Sequence, residues 1–180
     1  MTTKIIFSGF GGQGVLTLGQ IVSQIAMNKN LEVTWMPSYG AEMRGGTANC
    51  AVIISDKIIG SPIVLSDIDI LVAMNSQSIS KFINLVKKDG IVIINSSIVK
   101  EDIKRDDINI ININATEIAT DVGSVKAANM VMLAGFLNKT NLFDIFDIKK
   151  ALDDKFKAKN PKIIELNIAA INKGLEAIKI

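Results

Sequence analysis

The sequence predicts a three-layer α/β domain with a mixed, mostly parallel sheet and a helical C-terminal third. Three observations carry that reading. Short apolar runs alternate with segments of helical period along the first two thirds of the chain. A glycine run separates the first strand from the first helix. From residue 116 only helical periods recur. The 180 residues, 48% hydrophobic and 21% charged, read as one domain spanning 1–180. A chain of this length can bury roughly 70% of its unfolded surface, so it needs no disulfide or metal staple.

Each element has its own signal. Residues 4–8 read as a strand, Gly9 to Gly14 as a turn, and 15–28 as a helix with Val15, Leu18, Val22 and Ile25 on one face. Residues 31–36 read as a second strand ended by Pro37, and 38–46 as a polar loop. Residues 47–55 form a strand with Ala48, Cys50, Val52 and Ile54 aligned. Lys57 to Ile59 is expected to pair back on it and make the sheet mixed. Ile68 to Met74 is apolar enough to be buried on both faces. A helix is expected over 76–87, capped by Gly90, then strands at 91–94 and 108–113. Helices follow at 116–121, 124–138, 145–157 and 161–178. The segment 127–137 is apolar nearly all round and so sandwiched. The last helix opens on Pro161 and carries the stripe Ile164, Ile168, Ile171, Leu175, Ile178.

Composition excludes several chemistries. There is no histidine, which removes histidine-dependent nucleophilic sites, histidine bases and nearly all zinc sites. The single cysteine, Cys50, cannot hold an iron–sulfur cluster, which takes about four such ligands. Cys50 is expected to face the core. Sparse cysteine fits a reducing compartment. A net charge of +2 implies neither nucleic acid nor an anionic membrane as partner. No signal peptide and no membrane-length apolar run is visible, so a cytoplasmic location without membrane insertion is expected. Any redox cofactor must be carried elsewhere.

Two segments concentrate the chemistry. Gly9-Phe10-Gly11-Gly12-Gln13-Gly14 matches G-x-G-x-x-G between a strand and a helix. Its glycines permit a tight turn, and the helix start offers unpaired N–H groups and a positive dipole end to a phosphate. The same turn would also serve as a crossover that binds nothing. A nicotinamide site would place a carboxylate at the end of the second strand. That strand begins with Glu32 and ends Trp35-Met36-Pro37-Ser38, without one. The second segment, residues 35–50, holds the only Trp, Tyr and Cys. It also holds Arg44, one of two arginines against eighteen lysines. Lysine replaces arginine freely on a solvated surface, so a retained arginine suggests a need for its planar fork. Arg44 can clamp a carboxylate or phosphate, or pair with Glu42. Tyr39 adds an aromatic face and a hydroxyl.

These two motifs together, Gly9-x-Gly11-Gly12-Gln13-Gly14 and Tyr39-Gly40-x-Glu42-Met43-Arg44-Gly45-Gly46, resemble the gamma subunit of the 2-oxoacid:ferredoxin (acceptor) oxidoreductases. The run from Ser38 to Asp56, Ile59-Gly60-Ser61-Pro62 and Asn95-Ser96-Ser97 are most similar to the 2-oxoglutarate branch. One departure is Ala41, where proline is more usual. The resemblance covers essentially the whole chain. It implies a multi-subunit enzyme that converts a 2-oxoacid and coenzyme A to an acyl-CoA, carbon dioxide and reduced ferredoxin or flavodoxin. Thiamine diphosphate, magnesium and iron–sulfur clusters would lie in alpha, beta and ferredoxin-like delta partner subunits. It further implies that Gly9, Gly11, Gly12, Gln13 and Gly14 meet coenzyme A phosphates or a partner subunit. Tyr39, Gly40, Glu42, Arg44, Gly45, Gly46 and Thr47 would lie at the subunit junction beside the active site. No catalytic residue and no metal ligand is expected in this chain. Two other readings stay open: a free-standing NAD(P)-binding oxidoreductase and a purely structural assembly subunit.

Overall fold

The computed structural model describes residues 1–40, 46–140, 142–156 and 161–178. Six strands form one sheet: β1 (Thr2–Phe10), β2 (Glu32–Tyr39), β3 (Thr47–Ser55), β4 (Ile68–Ala73), β5 (Val86–Asn95) and β6 (Asn109–Ile113). Their spatial order is β2-β3-β1-β4-β5-β6. β1, β4, β5 and β6 run parallel, and β3 is antiparallel to both its neighbours, β1 and β2. The helices are α1 (Val15–Asn28), α2 (Ser76–Phe82), α3 (Ala115–Asp121), α4 (Ala128–Thr140), α5 (Ile145–Phe156) and α6 (Pro161–Ile178). The expected mixed α/β fold with a helical C-terminal third is what forms.

Four local expectations are corrected. The sheet is mixed because β3 inserts between β1 and β2. Residues 57–59 form no strand, and Ile58 is 90% exposed. β2 does not stop at Pro37 but runs to Tyr39, with Pro37 opposite Cys50. β2 is an edge strand, where a residue without an N–H is tolerated. The 76–87 helix ends at Phe82. A short 3-10 turn (Ile83–Leu85) then leads into β5, which starts at Val86 opposite Ile68. Gly90 is therefore no helix cap. It sits at a register shift in β5, where a methyl group would meet the Lys87 carbonyl oxygen at 2.8 Å. The left-handed residue is Asp89 (φ 61°), whose N–H donates to the Asp107 carbonyl at 2.7 Å. The 124–138 segment divides into a 3-10 turn (Val125–Ala127) and α4.

One sheet face is covered by α1, α3, α4, α5 and α6, around a core that includes Phe7, Leu18, Ile21, Val52, Met130 and Phe136. α4 lies innermost, with ten of its thirteen residues buried, as its unbroken apolar run requires. α6 presses on α4 through Asn167, Ala170, Ile171 and Gly174. At Gly174 an added methyl group would lie 2.7 Å from the Ala134 side chain. This buried face is thus a seam of small residues rotated from the isoleucine stripe, of which only Ile171 is fully covered. The opposite face carries a second core of Ile6, Leu71, Phe82, Val86, Val92 and Ile94. α2 and irregular chain cover it.

Candidate functional site at the carboxyl edge of the sheet

The glycine loop closes tightly on itself. Gln13 N–H donates to the Phe10 carbonyl at 3.1 Å, and the Gln13 side-chain oxygen accepts the Phe10 N–H at 2.7 Å. The Gln13 amide nitrogen donates to the Met74 carbonyl at 3.3 Å, which ties the loop to the end of β4. Gly9 has no room for a side chain, because a methyl group would lie 2.6 Å from the Gln13 oxygen and 2.8 Å from Met74. Gly12 (φ 101°) and Gly14 (φ 75°) take the left-handed region, and Gly14 is the N-cap of α1.

The two sequence motifs meet in space. Gly11 N–H donates to the Gly46 carbonyl at 2.8 Å. Gly40 N–H donates to the Thr47 carbonyl at 2.7 Å, and Phe10 stands opposite Thr47 in the β1–β3 register. Tyr39 ends β2 opposite Ala48 and is 52% exposed. Gly9, Gly11, Gly12, Gln13, Gly14, Tyr39, Gly40, Gly46 and Thr47 therefore gather at one corner, past the carboxyl ends of β1 and β2. Glu42, Arg44 and Gly45 lie outside the described residues, and so does the expected Glu42–Arg44 pairing.

Phe10, Gly11 and Gln13 N–H groups are all consumed internally. Among the described residues the N–H groups of Gly12 and Gly14 have no acceptor, and they adjoin the first turn of α1. Two backbone donors beside a helix start suit a phosphate oxygen. Glu32, by contrast, stands opposite Ser55 at the far end of β2, with β3 interposed between β2 and β1. No ribose-binding carboxylate can come from it.

Three contacts escaped the sequence reading. Asn129, in the first turn of α4, donates its amide to the Gly14 carbonyl at 3.2 Å. Its signal was a lone polar residue in an apolar run. Asn75 caps α2, accepting from Ser78 N–H at 2.9 Å and Ser78 Oγ at 2.7 Å, while its own amide nitrogen is buried without a partner. Asn95 is fully buried and bonds Thr116 Oγ1 at 2.9 Å, joining the ends of β5 and α3. Amides and hydroxyls thus predominate at the corner and edge, beside the Lys100 ammonium, which donates to the Ser96 carbonyl at 2.6 Å. Glu101 stands among them, its carboxyl held below the usual range mainly by a hydrogen bond from Ser76.

Cys50 behaves as expected, fully buried with Sγ 3.5 Å from the Val15 carbonyl. Burial pushes its thiol up to about 12, against weaker opposing effects of the Trp35 indole and the Gly19 backbone. It is not a nucleophile. Among the described residues no three His, Cys, Asp or Glu side chains group to hold a metal ion, and no helix is long and apolar enough to cross a membrane.

Residues 4–177 match the family described as pyruvate ferredoxin/flavodoxin oxidoreductase. The chain is 36% identical over 175 residues to ketoisovalerate oxidoreductase subunit VorA of Methanothermobacter marburgensis, covering 96% of this chain but 36% of the relative. It thus spans about a third of that protein's length. It is 34% identical over 183 residues to 2-oxoglutarate synthase subunit KorC of Methanocaldococcus jannaschii, covering 99% of this chain and 95% of that one. The fold is that of 2-oxoglutarate:ferredoxin oxidoreductase from Magnetococcus marinus, solved with 2-oxoglutarate, coenzyme A and succinyl-CoA bound. The TM-score is 0.90 at 22% identity, over 99% of this chain and 31% of that chain. With a family match across nearly all its length and a glycine corner joined to the Tyr39–Thr47 segment, the chain belongs to the pyruvate ferredoxin/flavodoxin oxidoreductase family.

Proposed function

We propose that this chain is the gamma subunit of a cytoplasmic 2-oxoglutarate:ferredoxin oxidoreductase and that its glycine corner receives the phosphates of coenzyme A. The observation that carries the reading is the pair of unconsumed N–H groups, Gly12 and Gly14, at the start of α1. They are available to donate to phosphate oxygens in a setting where no described loop residue is charged. The end-to-end likeness to a 2-oxoglutarate synthase subunit supports the substrate.

In the overall reaction the 2-oxoacid loses its carboxylate as carbon dioxide. The acyl carbon forms a thioester with coenzyme A, and two electrons pass to ferredoxin or a similar acceptor. Thiamine diphosphate, magnesium and iron–sulfur clusters belong to the alpha, beta and delta partners in this reading. The chain's own contribution is to hold the coenzyme's anionic end and to complete the subunit junction with Tyr39, Gly40, Glu42, Arg44, Gly45, Gly46 and Thr47. Exposed apolar side chains support a subunit that works in an assembly: Ile58, Ile63 and Leu65 are 90%, 52% and 77% exposed on one strap of irregular chain.

The test is to purify the assembled enzyme and follow coenzyme A-dependent dye reduction with 2-oxoglutarate, pyruvate and 2-oxoisovalerate. A clear preference for 2-oxoglutarate is expected. Gly12→Val, which places a branched side chain beside the free N–H groups, is expected to raise KM for coenzyme A with little change in KM for the 2-oxoacid. Preference for another acid refutes the substrate, and an unchanged coenzyme A KM refutes the glycine corner.

A further inference from the structure

We propose that Asn129 is the positioning residue of the glycine corner. Its amide fixes Gly14 in the conformation that leaves the Gly12 and Gly14 N–H groups unconsumed. The inference rests on the coenzyme A reading above and deepens it. Asn129 is the only polar residue between Ala127 and Leu137 and is 6% exposed. A primary amide buried there is costly unless it is bonded. Its partner is the Gly14 carbonyl at 3.2 Å, 115 residues earlier in the chain. The same carbonyl accepts the Leu18 N–H at 3.1 Å, the first helical bond of α1. Gly14 O thus has both lone pairs engaged, one by α1 and one by α4.

The fit is mutual. A methyl group on Gly14 would collide with the Asn129 amide, so the amide occupies the space that glycine leaves. Gly14 stands at φ 75°, where a non-glycine residue would also be strained. The anchor cannot drift, because α4 is buried on ten of its thirteen residues and sits between the sheet and α6. Gln13 holds the loop from within and Asn129 holds it from outside. The turn is then fixed at Phe10, Gly11, Gln13 and Gly14, and the N–H groups of Gly12 and Gly14 remain for a ligand.

The assembled enzyme carrying Asn129→Asp decides the matter. The substitution keeps the shape, removes the donor and sets a carboxylate oxygen against the Gly14 carbonyl. KM for coenzyme A is expected to rise roughly tenfold, with KM for the 2-oxoacid and kcat at saturating coenzyme A within about twofold of the parent enzyme. A merely structural residue would lower kcat or yield without moving one KM selectively. If Asn129→Asp fails to assemble, Asn129→Ala removes the donor without adding charge and carries the same expectation. Failure of both to assemble overturns the positioning role. An unchanged coenzyme A KM in Asn129→Asp overturns it too, provided Gly12→Val raises that KM. If neither variant moves it, the coenzyme A reading itself fails.

Discussion

The two faces of the sheet are covered on different terms. On one, five helices enclose a continuous core in which Phe7, Phe136 and Phe143 lie ring to ring, with centroids 5.9 and 6.3 Å apart. On the other, α2 has only seven residues, and the rest of the cover is irregular chain. The helix side buries the larger core, with Phe146 on α5 (76% exposed) and Met27 on α1 (51%) left outside it. The loop side leaves Ile58, Ile63 and Leu65 in solvent. The larger share of apolar burial therefore lies on the helix side, and the loop side carries the most exposed apolar strap.

The largest expected effect tests this asymmetry directly. Phe136→Ala, in the rigid helix layer, is expected to cost about 3–5 kcal/mol by urea unfolding, because the neighbouring helices cannot close the cavity. Phe82→Ala, on the loop side with the Lys81 ammonium 5.0 Å from its ring, is expected to cost about 2 kcal/mol, because irregular chain can settle into the space. The reverse order would break the comparison.

The buried thiol gives a pH signature on the helix side. Cys50 is raised by burial from 9.0 to about 12. Below pH 9 both folded and unfolded chains keep the proton, and this contribution to stability is complete. Above pH 9 only the folded chain keeps it, so stability falls toward pH 12 at up to about 1.4 kcal/mol per unit. Between pH 8 and 10.5 the urea midpoint of the parent chain should drop more than that of Cys50→Ala. Parallel curves would refute the assignment.

The helix side was also the more legible in sequence. Long stripes such as Val15-Leu18-Val22-Ile25 and the apolar run of α4 carry their period openly. The loop side failed at Val86, which follows Phe82 by four residues, at helical spacing, yet opens β5 opposite Ile68. Nothing local distinguishes those fates; the neighbour strand decides. The glycine corner was visible as a motif, because left-handed turns demand glycine. Its fastening by Asn129 was not, since a contact across 115 residues leaves no spacing to read. The insertion of β3 beside β1 was likewise a tertiary choice. Arginine scarcity was informative: Arg105 uses its whole fork, donating to both Asp107 carboxylate oxygens at 2.8 and 2.6 Å and to the Ile83 and Val86 carbonyls at 2.8 and 3.0 Å.

That fork sharpens the comparison on the loop side. It fastens the irregular 96–107 segment to the junction of α2 and β5 by geometry that an ammonium cannot reproduce. Arg105→Lys keeps the charge and loses the planar contacts. A fall in Tm of a few degrees is expected with coenzyme A kinetics unaltered, measured by thermal unfolding and by assay of the assembled enzyme. An unchanged Tm would show that this segment is held by its apolar contacts and its other hydrogen bonds, such as Asp89 N–H to the Asp107 carbonyl.

The smallest effect on stability should be the most telling for assembly. The double variant Ile58→Ser, Leu65→Ser removes two side chains that are 90% and 77% exposed, so the chain alone has almost no burial to lose. Surface changes of this kind shift stability by about 0.5 kcal/mol or less. If the strap faces a partner subunit, the same two changes remove apolar contact area there, and the complex should dissociate at higher protein concentration in sedimentation experiments. An unaltered urea midpoint with weakened assembly would place the partner on the loop side. Unaltered assembly would separate the exposed strap from the subunit junction and turn attention to the glycine corner and to exposed helix residues such as Phe146.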